Sequence, residues 1–309
     1  MYNVFIDGSA GTTGLKIVER LSNRKDLNLI ILPEEKRKDL SARKDAINSC
    51  DVAFLCLPDQ ASIEAVSLIE NEKVKVIDTS TAHRVNSDWA YGFPEIKGLK
   101  EKILSSKRIA NPGCHASGFI ALVAPLINAG VLDKNVCLSC FSITGYTGGG
   151  KKMIAEYESE DKPVLYGAPR QYGLSQTHKH LPEMVALCGL ENQPIFCPIV
   201  ADFDRGMEVT VPLFAKDLKT NIQGVKEIYK SVYNGKVVWF NDCADENGFI
   251  SANSMRGRDD MEISVFGNDQ RIILCARFDN LGKGASGAAI QNMNLMLGLD
   301  ETIGLNLGE

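Results

Sequence analysis

The segment Asn-Pro-Gly-Cys at 111–114 brings a cysteine to the point where a turn becomes a long apolar helix. Asn-Pro-Gly is turn chemistry, and residues 119–127 are typical of a buried helical run. In the first turn of a helix, unpaired backbone N–H groups and the helix dipole favour an anion. A free thiol has a pKa of about 8.5, and this environment lowers it. The segment therefore predicts that Cys114 is a nucleophile rather than a small buried apolar side chain.

Four histidines are available to move protons, and two of them form the motif His178-Lys179-His180. Alternate residues of an extended segment share one face, so the motif predicts that both rings lie together. A histidine beside Cys114 would serve as an acid/base near neutral pH, and we favour His180 over His178. Zinc would need further ligands, and only Glu183 is near. Cys137-Leu138-Ser139-Cys140 lies in an apolar, strand-like run, so we predict no metal site.

The composition limits the possible functions. The 309 residues are 44% hydrophobic and 24% charged, with a net charge of −5, and the chain is long enough for two domains. No Lys/Arg run outweighs the acidic balance, which argues against a nucleic-acid binder. Nine cysteines without a regular framework indicate a reducing cytoplasm. The chain shows no signal peptide and no apolar run of membrane-spanning length, so we expect a cytoplasmic protein that does not bind membranes.

The first half of the chain alternates strand-like and helical segments, which is the pattern of a parallel sheet wound with helices. Its predicted strands are 4–6, 27–32, 52–57, 74–78 and 108–110, and its predicted helices are 12–21, 41–48 and 60–71. Longer β-like runs follow at 136–144, 195–201, 207–214, 262–266 and 271–276, with helices at 222–232 and 285–299. The later pattern predicts a mixed, largely antiparallel sheet. We therefore expect an α/β protein with a second domain.

A glycine-rich loop directly follows the first predicted strand and opens a helix. It contains the candidate cofactor-binding residues Gly8, Ser9, Ala10, Gly11, Thr12, Thr13 and Gly14. Glycines let the backbone approach a pyrophosphate, whose charge the helix N-terminus receives. The position at the first strand-helix junction of an α/β half favours a dinucleotide site. After the second strand, Lys36, Arg37 and Lys38 could hold a 2′-phosphate, which favours NADP over NAD.

Polar loops elsewhere could hold the substrate. Gly145-Tyr146-Thr147-Gly148-Gly149-Gly150-Lys151 follows a predicted strand, is too flexible for a core, and is predicted to contact the substrate or the nicotinamide. The segment 78–84 ends another strand at the edge where open α/β sheets bind ligands, and within it Ser80 is a candidate cofactor contact. Arginines bind carboxylates and phosphates through two parallel hydrogen bonds. The candidates for this role are Arg84, Arg170 and Arg205.

Four motifs in this order resemble N-acetyl-gamma-glutamyl-phosphate reductase, in the shorter of its two types. They are the amino-terminal dinucleotide loop, the Asn-Pro-Gly-Cys helix start, the Gly-Tyr-Thr-Gly-Gly-Gly-Lys loop, and His-Lys-His-Leu-Pro-Glu-Met at 178–184. The resemblance extends to Asn280-Leu281-Gly282-Lys283-Gly284 and the final helix. It covers nearly the whole chain.

The resemblance implies an N-terminal NADP-binding Rossmann domain, residues 1–113 with 284–309, and a mixed α+β catalytic and oligomerisation domain, residues 114–283. This is the plan of the glyceraldehyde-phosphate and aspartate-semialdehyde dehydrogenases. It assigns Cys114 as the nucleophile and the His178/His180 segment as the acid/base, and it adds Gly148 and Asn280 to the cofactor contacts. A homodimer or homotetramer is expected. The residue after the cysteine is often aromatic in this family but is His115 here, so this ring has an open role in tuning Cys114.

The implied reaction is the third step of arginine biosynthesis. Cys114 attacks the acyl phosphate of N-acetyl-glutamyl phosphate, phosphate leaves, and NADPH reduces the thioester to the semialdehyde. Backbone N–H groups near Cys114, the Asn111 amide and the histidine are candidate partners for the oxyanion. Two alternatives stay open. One is aspartate-semialdehyde dehydrogenase, and the other is an NADP-binding redox regulator in which Cys114 forms a reversible disulfide.

Overall fold

The computed structural model describes residues 1–308, and by contacts within the chain this range divides into two compact units. The first unit comprises residues 1–94, 98–112 and 285–305, and the second comprises 95–97, 113–284 and the described residues from 306 onward. The strands are β1 (Tyr2–Asp7), β2 (Leu27–Ile30), β3 (Val52–Leu55), β4 (Lys75–Asp78), β5 (Ala90–Tyr91), β6 (Arg108–Ala110), β7 (Ser139–Gly145), β8 (Arg170–Gln171), β9 (Ile195–Ala201), β10 (Met207–Phe214), β11 (Val238–Phe240), β12 (Met261–Gly267) and β13 (Arg271–Phe278). The α-helices are α1 (Thr12–Leu21), α2 (Leu40–Ser49), α3 (Asp59–Ser67), α4 (Leu99–Ser105), α5 (Cys114–Asn128), α6 (Gly150–Glu158), α7 (Leu181–Cys188), α8 (Ile222–Val232) and α9 (Gly287–Met296).

The first unit is a parallel six-stranded sheet in the order β2-β1-β3-β4-β6-β5. Every residue of β3 is buried, as expected for a central parallel strand covered on both faces. The last helix, α9, is buried along its whole length. Among its polar side chains, Asn294 accepts from Arg24 Nη1 at 2.7 Å and donates to the Ile303 carbonyl at 2.8 Å. Burial of polar groups is tolerated because they are hydrogen-bonded.

The second unit is a seven-stranded mixed sheet in the order β11-β12-β13-β10-β7-β9-β8. The pairs β11-β12 and β7-β9 are parallel and the other pairs are antiparallel. One face of the sheet is covered by α5, where Gly118 lies so close to Val209 that a Cβ would come within 2.4 Å of its side chain. The helix that begins at Cys114 is therefore packed directly on the sheet.

A proline inside α5 is compensated from the neighbouring helix. Pro125 has no N–H, so the carbonyl of Ala121, four residues earlier, loses its helical partner. The Tyr233 hydroxyl, just after α8, donates to this carbonyl at 2.6 Å, and the Tyr229 hydroxyl donates to the carbonyl of Leu122. Both tyrosines are buried. The interaction ties α8 to α5 and keeps the nucleophile helix continuous.

The predicted fold class is confirmed, since a parallel-sheet unit is joined to a mixed-sheet unit. The helices predicted at 12–21 and 222–232 have the observed bounds. Two local expectations were wrong. Residues 146–149 form a 3-10 helix and α6 follows, so the glycine-rich segment predicted as a loop is largely helical. The final helix is preceded by a π-helical turn, Gly282–Ser286, and is shorter than predicted.

Candidate active site

Cys114 is the first residue of α5, preceded by Gly113 as the extended N-cap. Its side chain is half-buried. The Gly113 N–H donates to Glu183 Oε2 at 3.1 Å. Gly284 approaches so closely that a Cβ on it would lie 3.0 Å from the Cys114 Cβ. The turn therefore presents the thiol at a helix N-terminus, where the dipole stabilises a thiolate, and a glycine at 284 leaves room for it.

Three histidine rings gather within the same unit. The His178 and His180 ring centroids are 4.8 Å apart, and the ring of His115 lies 5.8 Å from His178 and 5.5 Å from His180. The two rings of the motif therefore lie together, as predicted, but the expected extended segment was wrong. Residues 179–180 form a turn, and His180 is the N-cap of α7.

The two motif histidines have different partners. His180 Nε2 lies 4.0 Å from Oε1 of the buried Glu183, which can stabilise an imidazolium. His178 Nδ1 accepts from the backbone N–H of His180 at 3.3 Å. Burial, together with the charge of Lys179, lowers the pKa of His178, so its ring is neutral at neutral pH. Among the described residues, His180 is the member of this pair that lies beside a carboxylate.

His115 is buried and held at both ring nitrogens. Its Nδ1 lies 2.6 Å from Ser142 Oγ and its Nε2 lies 2.7 Å from the Tyr172 hydroxyl. Burial, with the charges of His178 and Lys179, lowers the pKa of His115 to about 3. The ring is therefore a neutral imidazole, which donates through one nitrogen and accepts through the other.

The loop that carries Tyr172 and the two motif histidines is fastened to β9. Gln176 has a positive φ of 57°. Its side chain binds the backbone of Phe196 twice: Nε2 donates to the carbonyl at 2.7 Å, and Oε1 accepts from the N–H at 2.9 Å. Phe196 also packs edge-on against the rings of His115 and His178. These contacts tie the loop to β9 and to two of the histidine rings.

The glycine-rich loop of the first unit has the backbone geometry of a phosphate cradle. Gly8 has a φ of +82°, and a Cβ there would lie 2.2 Å from the Cys56 carbonyl. Gly11 is the N-cap of α1, and a Cβ on it would meet nothing closer than 3.4 Å. A Cβ on Gly14 would lie only 2.3 Å from the Gly8 carbonyl oxygen, so the helix packs closely on the loop. The turn, the open helix N-terminus and the close helix-loop packing match the demands of a pyrophosphate site.

The basic triplet follows β2 as expected. Lys36 ends a 3-10 helix, Glu34–Lys36, and both Lys36 and Lys38 are exposed. Arg37 is paired with Glu34. The two lysines are therefore positioned at the carboxyl end of β2, where dinucleotide-binding folds discriminate the ribose 2′ substituent.

The residues after β4 are organised around the buried Asp78 carboxylate. Ser80 donates to it through its N–H at 2.9 Å and its hydroxyl at 2.7 Å, and His83 Nδ1 lies 2.6 Å away. Arg84 Nε donates to the Asn111 carbonyl at 3.0 Å. The Asn111 side chain donates to the Ala285 carbonyl at 3.0 Å. Within the first unit, the side chains of Arg84 and Asn111 therefore both donate hydrogen bonds to backbone carbonyls.

Several other candidates come together in the second unit. The backbone of residues 145–147 bonds to residues 203–206, and Gly145 lies against the backbone of Arg205. Asn280 Nδ2 donates to Thr147 Oγ1 at 3.1 Å, and a Cβ on Gly148 would lie 3.5 Å from that nitrogen. We call this set of residues the loop cluster; it comprises Gly145, Tyr146, Gly148, Arg205 and Asn280.

Arg170 lies in an aromatic stack beside that cluster. Its guanidinium carbon is 3.9 Å from the centroid of the Tyr166 ring, and Tyr157 stacks on Tyr146 at 5.0 Å. Arg170 Nη1 is buried without a hydrogen-bond partner among the described residues. A cation held flat against aromatic rings retains donors for an anionic ligand.

Three residues that contact the site histidines or the turn before Cys114 were not among the predicted site residues: Ser142, Tyr172 and Glu183, which was considered only as a zinc ligand. The sequence contained one indication of Glu183, because a carboxylate three residues after an N-cap residue lies in the first turn of the helix. The other two are brought to His115 from β7 and from the loop that follows β8, and no local pattern indicates this. Within residues 1–308, no group of three or more His, Cys, Asp or Glu side chains is arranged to hold a metal ion. None of the helices in this range is long and apolar enough to cross a membrane.

Comparisons with known proteins bear on both units. The family model described as semialdehyde dehydrogenase, NAD binding domain, matches residues 3–105, and the model described as semialdehyde dehydrogenase, dimerisation domain, matches residues 114–280. The N-acetyl-gamma-glutamyl-phosphate reductase 2 of Nostoc sp. is 44% identical over an alignment of 318 positions, gaps included, covering 98% of this chain and 98% of the relative. The chain belongs to the N-acetyl-gamma-glutamyl-phosphate reductase family.

A second relative agrees with this assignment, and solved structures show the same fold. The N-acetyl-gamma-glutamyl-phosphate reductase of Brucella ovis is 46% identical, covering 96% of this chain and 98% of the relative. Aspartate semialdehyde dehydrogenase II of Vibrio cholerae, in a structure with ASA, has a TM-score of 0.72 at 16% identity and covers 96% of this chain and 98% of that one. The Francisella tularensis aspartate semialdehyde dehydrogenase has a TM-score of 0.71 at 13% identity, covering 96% and 100%. These structures show that the N-acetyl-gamma-glutamyl-phosphate reductase fold is shared with aspartate semialdehyde dehydrogenases.

Proposed function

We propose that this chain reduces N-acetyl-L-glutamyl 5-phosphate to N-acetyl-L-glutamate 5-semialdehyde and phosphate with NADPH, the third step of arginine biosynthesis. The observation that carries the proposal is Cys114 at the first position of a buried helix, in the same unit as an imidazole pair and a buried carboxylate. Relatives of this name at 44–46% identity over nearly the full chain support the substrate.

Cys114 acts first. Its thiolate attacks the acyl carbon, the bond from that carbon to the phosphate oxygen breaks, and a thioester remains on the sulfur. The positive end of α5 stabilises both the thiolate and the oxyanion that forms during attack. The Glu183 carboxylate, which accepts from the Gly113 N–H, holds the turn before Cys114 in place.

His180 supplies the proton that the departing phosphate needs. Its Nε2 lies 4.0 Å from the Glu183 carboxylate, which would stabilise the imidazolium whenever the ring carries a proton. His178 is the weaker candidate, because burial and Lys179 lower its pKa. The thiolate is regenerated when the reduced intermediate collapses to the semialdehyde, and this collapse requires no net proton. The net proton of the reaction therefore passes through His180 to phosphate.

The residues of the first unit fit a dinucleotide. The loop from Gly8 to Gly14 would hold the pyrophosphate, and Lys36 and Lys38 would hold a 2′-phosphate, which favours NADP. Ser80, Gly148 and Asn280 complete the proposed cofactor contacts. When bound, NADPH supplies the hydride that reduces the thioester.

The substrate contacts are proposed from the loop cluster of the second unit. Arg170, with its buried donor, is favoured for an anionic group of the substrate, and Arg205 is the second candidate. Gly145 and Tyr146 would line the same region. Arg84 and Asn111 stay candidates, although both already bond to backbone carbonyls.

The deciding experiment is phosphate-dependent reduction of NADP with N-acetyl-glutamate semialdehyde, compared with aspartate semialdehyde and with NAD. We expect turnover of the acetylated substrate with NADP, lost in Cys114→Ala while cofactor binding persists. Turnover of aspartate semialdehyde alone would replace this function with that of the structural neighbours. Turnover retained in Cys114→Ala would refute the thioester mechanism.

We further propose that the chain works in the cytoplasm as a homodimer or homotetramer. The support for assembly is the match of residues 114–280 to a dimerisation domain and the apolar outer face of the seven-stranded sheet.

A further inference from the structure

A buried ion-pair network lies at the end of β1, directly before the proposed pyrophosphate loop, and the proposed function gives it no role. Asp7 is the last residue of β1 and is buried, and the next residue is Gly8. Arg43 of α2, which is also buried, donates from Nε to Asp7 Oδ2 at 3.0 Å and from Nη1 to Glu64 Oε2 at 2.8 Å. Because Glu64 belongs to α3, one arginine ties the end of β1 to two helices of the first unit.

The backbone fixes where the Asp7 carboxylate lies relative to the loop. The Cys56 N–H donates to the Asp7 carbonyl at 2.8 Å, and the Gly11 N–H donates to the Gly8 carbonyl at 2.9 Å. Gly8 is confined in addition, since a Cβ on it would lie 2.2 Å from the Cys56 carbonyl oxygen. The carboxylate is therefore held at the residue that precedes the turn proposed to receive the pyrophosphate.

A carboxylate at this position opposes an anionic ligand. The pyrophosphate is negatively charged, and like charges repel more strongly in a site that is shielded from water and salt. Among the described residues, Arg43 is the basic side chain that pairs with Asp7. Burial raises the pKa of Asp7, whereas the charge and the hydrogen bond of Arg43 lower it. Without Arg43, the carboxyl group would therefore carry an unpaired charge or take up a proton.

The guanidinium of Arg43 has one donor nitrogen beyond those that bind the two carboxylates. Its Nη2 is buried and has no hydrogen-bond partner among the described residues. A buried donor without an acceptor is costly, so Nη2 requires an acceptor from outside the chain, such as a water molecule or an oxygen of a ligand. This side of the loop is thus prepared for negative charge, although it contains a carboxylate.

We infer that Arg43 is a positioning residue for the dinucleotide, because by neutralising Asp7 it allows the loop from Gly8 to Gly14 to accept an anionic pyrophosphate. Arg43 acts through Asp7 and needs no contact with the cofactor for this role. Asp7 and Arg43 therefore join the residues that set the affinity for the cofactor. The inference rests on the proposed function for the identity of the ligand at this loop.

The test is the binding of NADP to the whole chain, measured by isothermal titration calorimetry between pH 6 and 9. Arg43→Met keeps an unbranched side chain and removes the charge. We expect it to weaken NADP binding about tenfold at pH 9, and less at pH 6, where Asp7 takes up a proton. The other titratable groups that face Asp7 are Glu64, which every variant retains, and Cys56, whose pKa burial raises to about 12.

Variants of matched charge separate neutralisation from packing. Asp7→Asn/Arg43→Met removes both charges, so we expect NADP affinity within about threefold of the parent and the pH profile of the parent. Arg43→Lys keeps the positive charge and should also bind like the parent. Asp7→Asn alone keeps Arg43 and should bind NADP several-fold more tightly. Thermal unfolding without ligand accompanies each variant, because a purely structural role would lower the Tm without making NADP affinity depend on pH.

Two results in Arg43→Met would overturn the inference. One is an NADP affinity that follows the pH profile of the parent, and the other is weak binding that persists in the double variant. Should Arg43→Met fail to fold, an Asp7→Asn protein that binds NADP no more tightly than the parent would overturn it instead. A parent protein that binds neither NADP nor NAD would refute the proposed cofactor. The same variants titrated with inorganic pyrophosphate would then decide the inference, since equal affinities would overturn it.

Discussion

At the scale of the residue, the second unit combines a thiol at a helix start with imidazoles of unlike character. His180 faces a buried carboxylate, His178 accepts from the backbone, and His115 is a neutral link between two hydroxyls. Because each ring has different neighbours, the proposed mechanism does not give the three histidines the same role.

The acid/base assignment predicts unequal effects of the same substitution at 178 and 180. His180→Gln removes the group held by Glu183, and we expect kcat to fall by about 10²- to 10⁴-fold. His178→Gln should cost less, because its lowered pKa already keeps it neutral. The measurement is kcat for both variants, with thermal unfolding as the control for folding. A larger loss in His178→Gln would reverse the assignment.

The buried His115 predicts a pH-dependent stability. Its folded pKa of about 3 lies below the ordinary unfolded value of about 6.5. Its contribution is therefore fully present above pH 6.5 and is lost as the pH falls towards 3, by up to about 1.4 kcal/mol per pH unit. Burial of His178 acts in the same direction.

This is measured by urea unfolding at pH 8 and pH 5. The loss of unfolding free energy between these values should be smaller in His115→Gln, which has no ionisable ring. Equal losses in both proteins would show that His115 does not titrate on unfolding in this range.

At the scale of the element, helices with clear end signals were predictable and short helices inside loops were not. The helix 222–232 was predicted with its observed bounds, and Asn221 caps it by accepting from the Gly224 N–H at 3.0 Å. The helix α6 begins in a glycine run of poor helix propensity and is stabilised by the stacking of Tyr146 on Tyr157. That contact is not visible as a periodic pattern.

The candidate site shows the same limit. Cys114 and the histidine pair could be identified from local motifs, because a helix start and a paired ring motif are local features. Tyr172 and Ser142 could not, because they meet His115 only when β8 and β7 have joined one sheet with β9 between them. The clamp of Gln176 on Phe196 depends on the same tertiary pairing.

The glycine loop after β1 provides a matched pair of substitutions. Gly8→Ala places a Cβ 2.2 Å from the Cys56 carbonyl at a φ of +82°, so we expect loss of stability and of cofactor binding together. Gly11→Ala meets nothing closer than 3.4 Å, so the protein should fold normally. Its methyl group would nevertheless occupy the helix N-terminus proposed for the pyrophosphate.

The two variants are compared by thermal unfolding without ligand and by titration with NADPH followed by fluorescence. Gly8→Ala should lower the Tm by several degrees. Gly11→Ala should keep the parent Tm and bind NADPH at least tenfold more weakly. Parent-like NADPH affinity in Gly11→Ala would remove this loop from the cofactor site.

At the scale of the whole molecule, the seven-stranded sheet has one face covered by helices and an opposite face that is apolar and open. Its register places Phe141 beside Thr210, Pro212 beside Ile273, and Phe214 beside Arg271, all on the same side. The exposed apolar side chains of this outer face are Phe141, Ile195, Phe214 and Ile273, each at least 42% exposed. A contiguous apolar surface of this kind on a folded chain marks an association site.

A second copy of the chain is the occupant that this face fits, since the residues that form it match a dimerisation domain. Most oligomers of identical chains use the same patch on both subunits, so one charge introduced there enters the interface twice. We therefore expect Phe141→Glu, at a position paired with Thr210 and Cys197 rather than with a basic residue, to shift the protein from an oligomer to a monomer in analytical ultracentrifugation, with the Tm falling as the assembly is lost. Leu104→Glu, at a residue of α4 that is 53% exposed, is the control and should leave the assembly intact. A Phe141→Glu protein that sediments like its parent would exclude this face as the interface, because two buried and unpaired carboxylates would cost several kcal/mol.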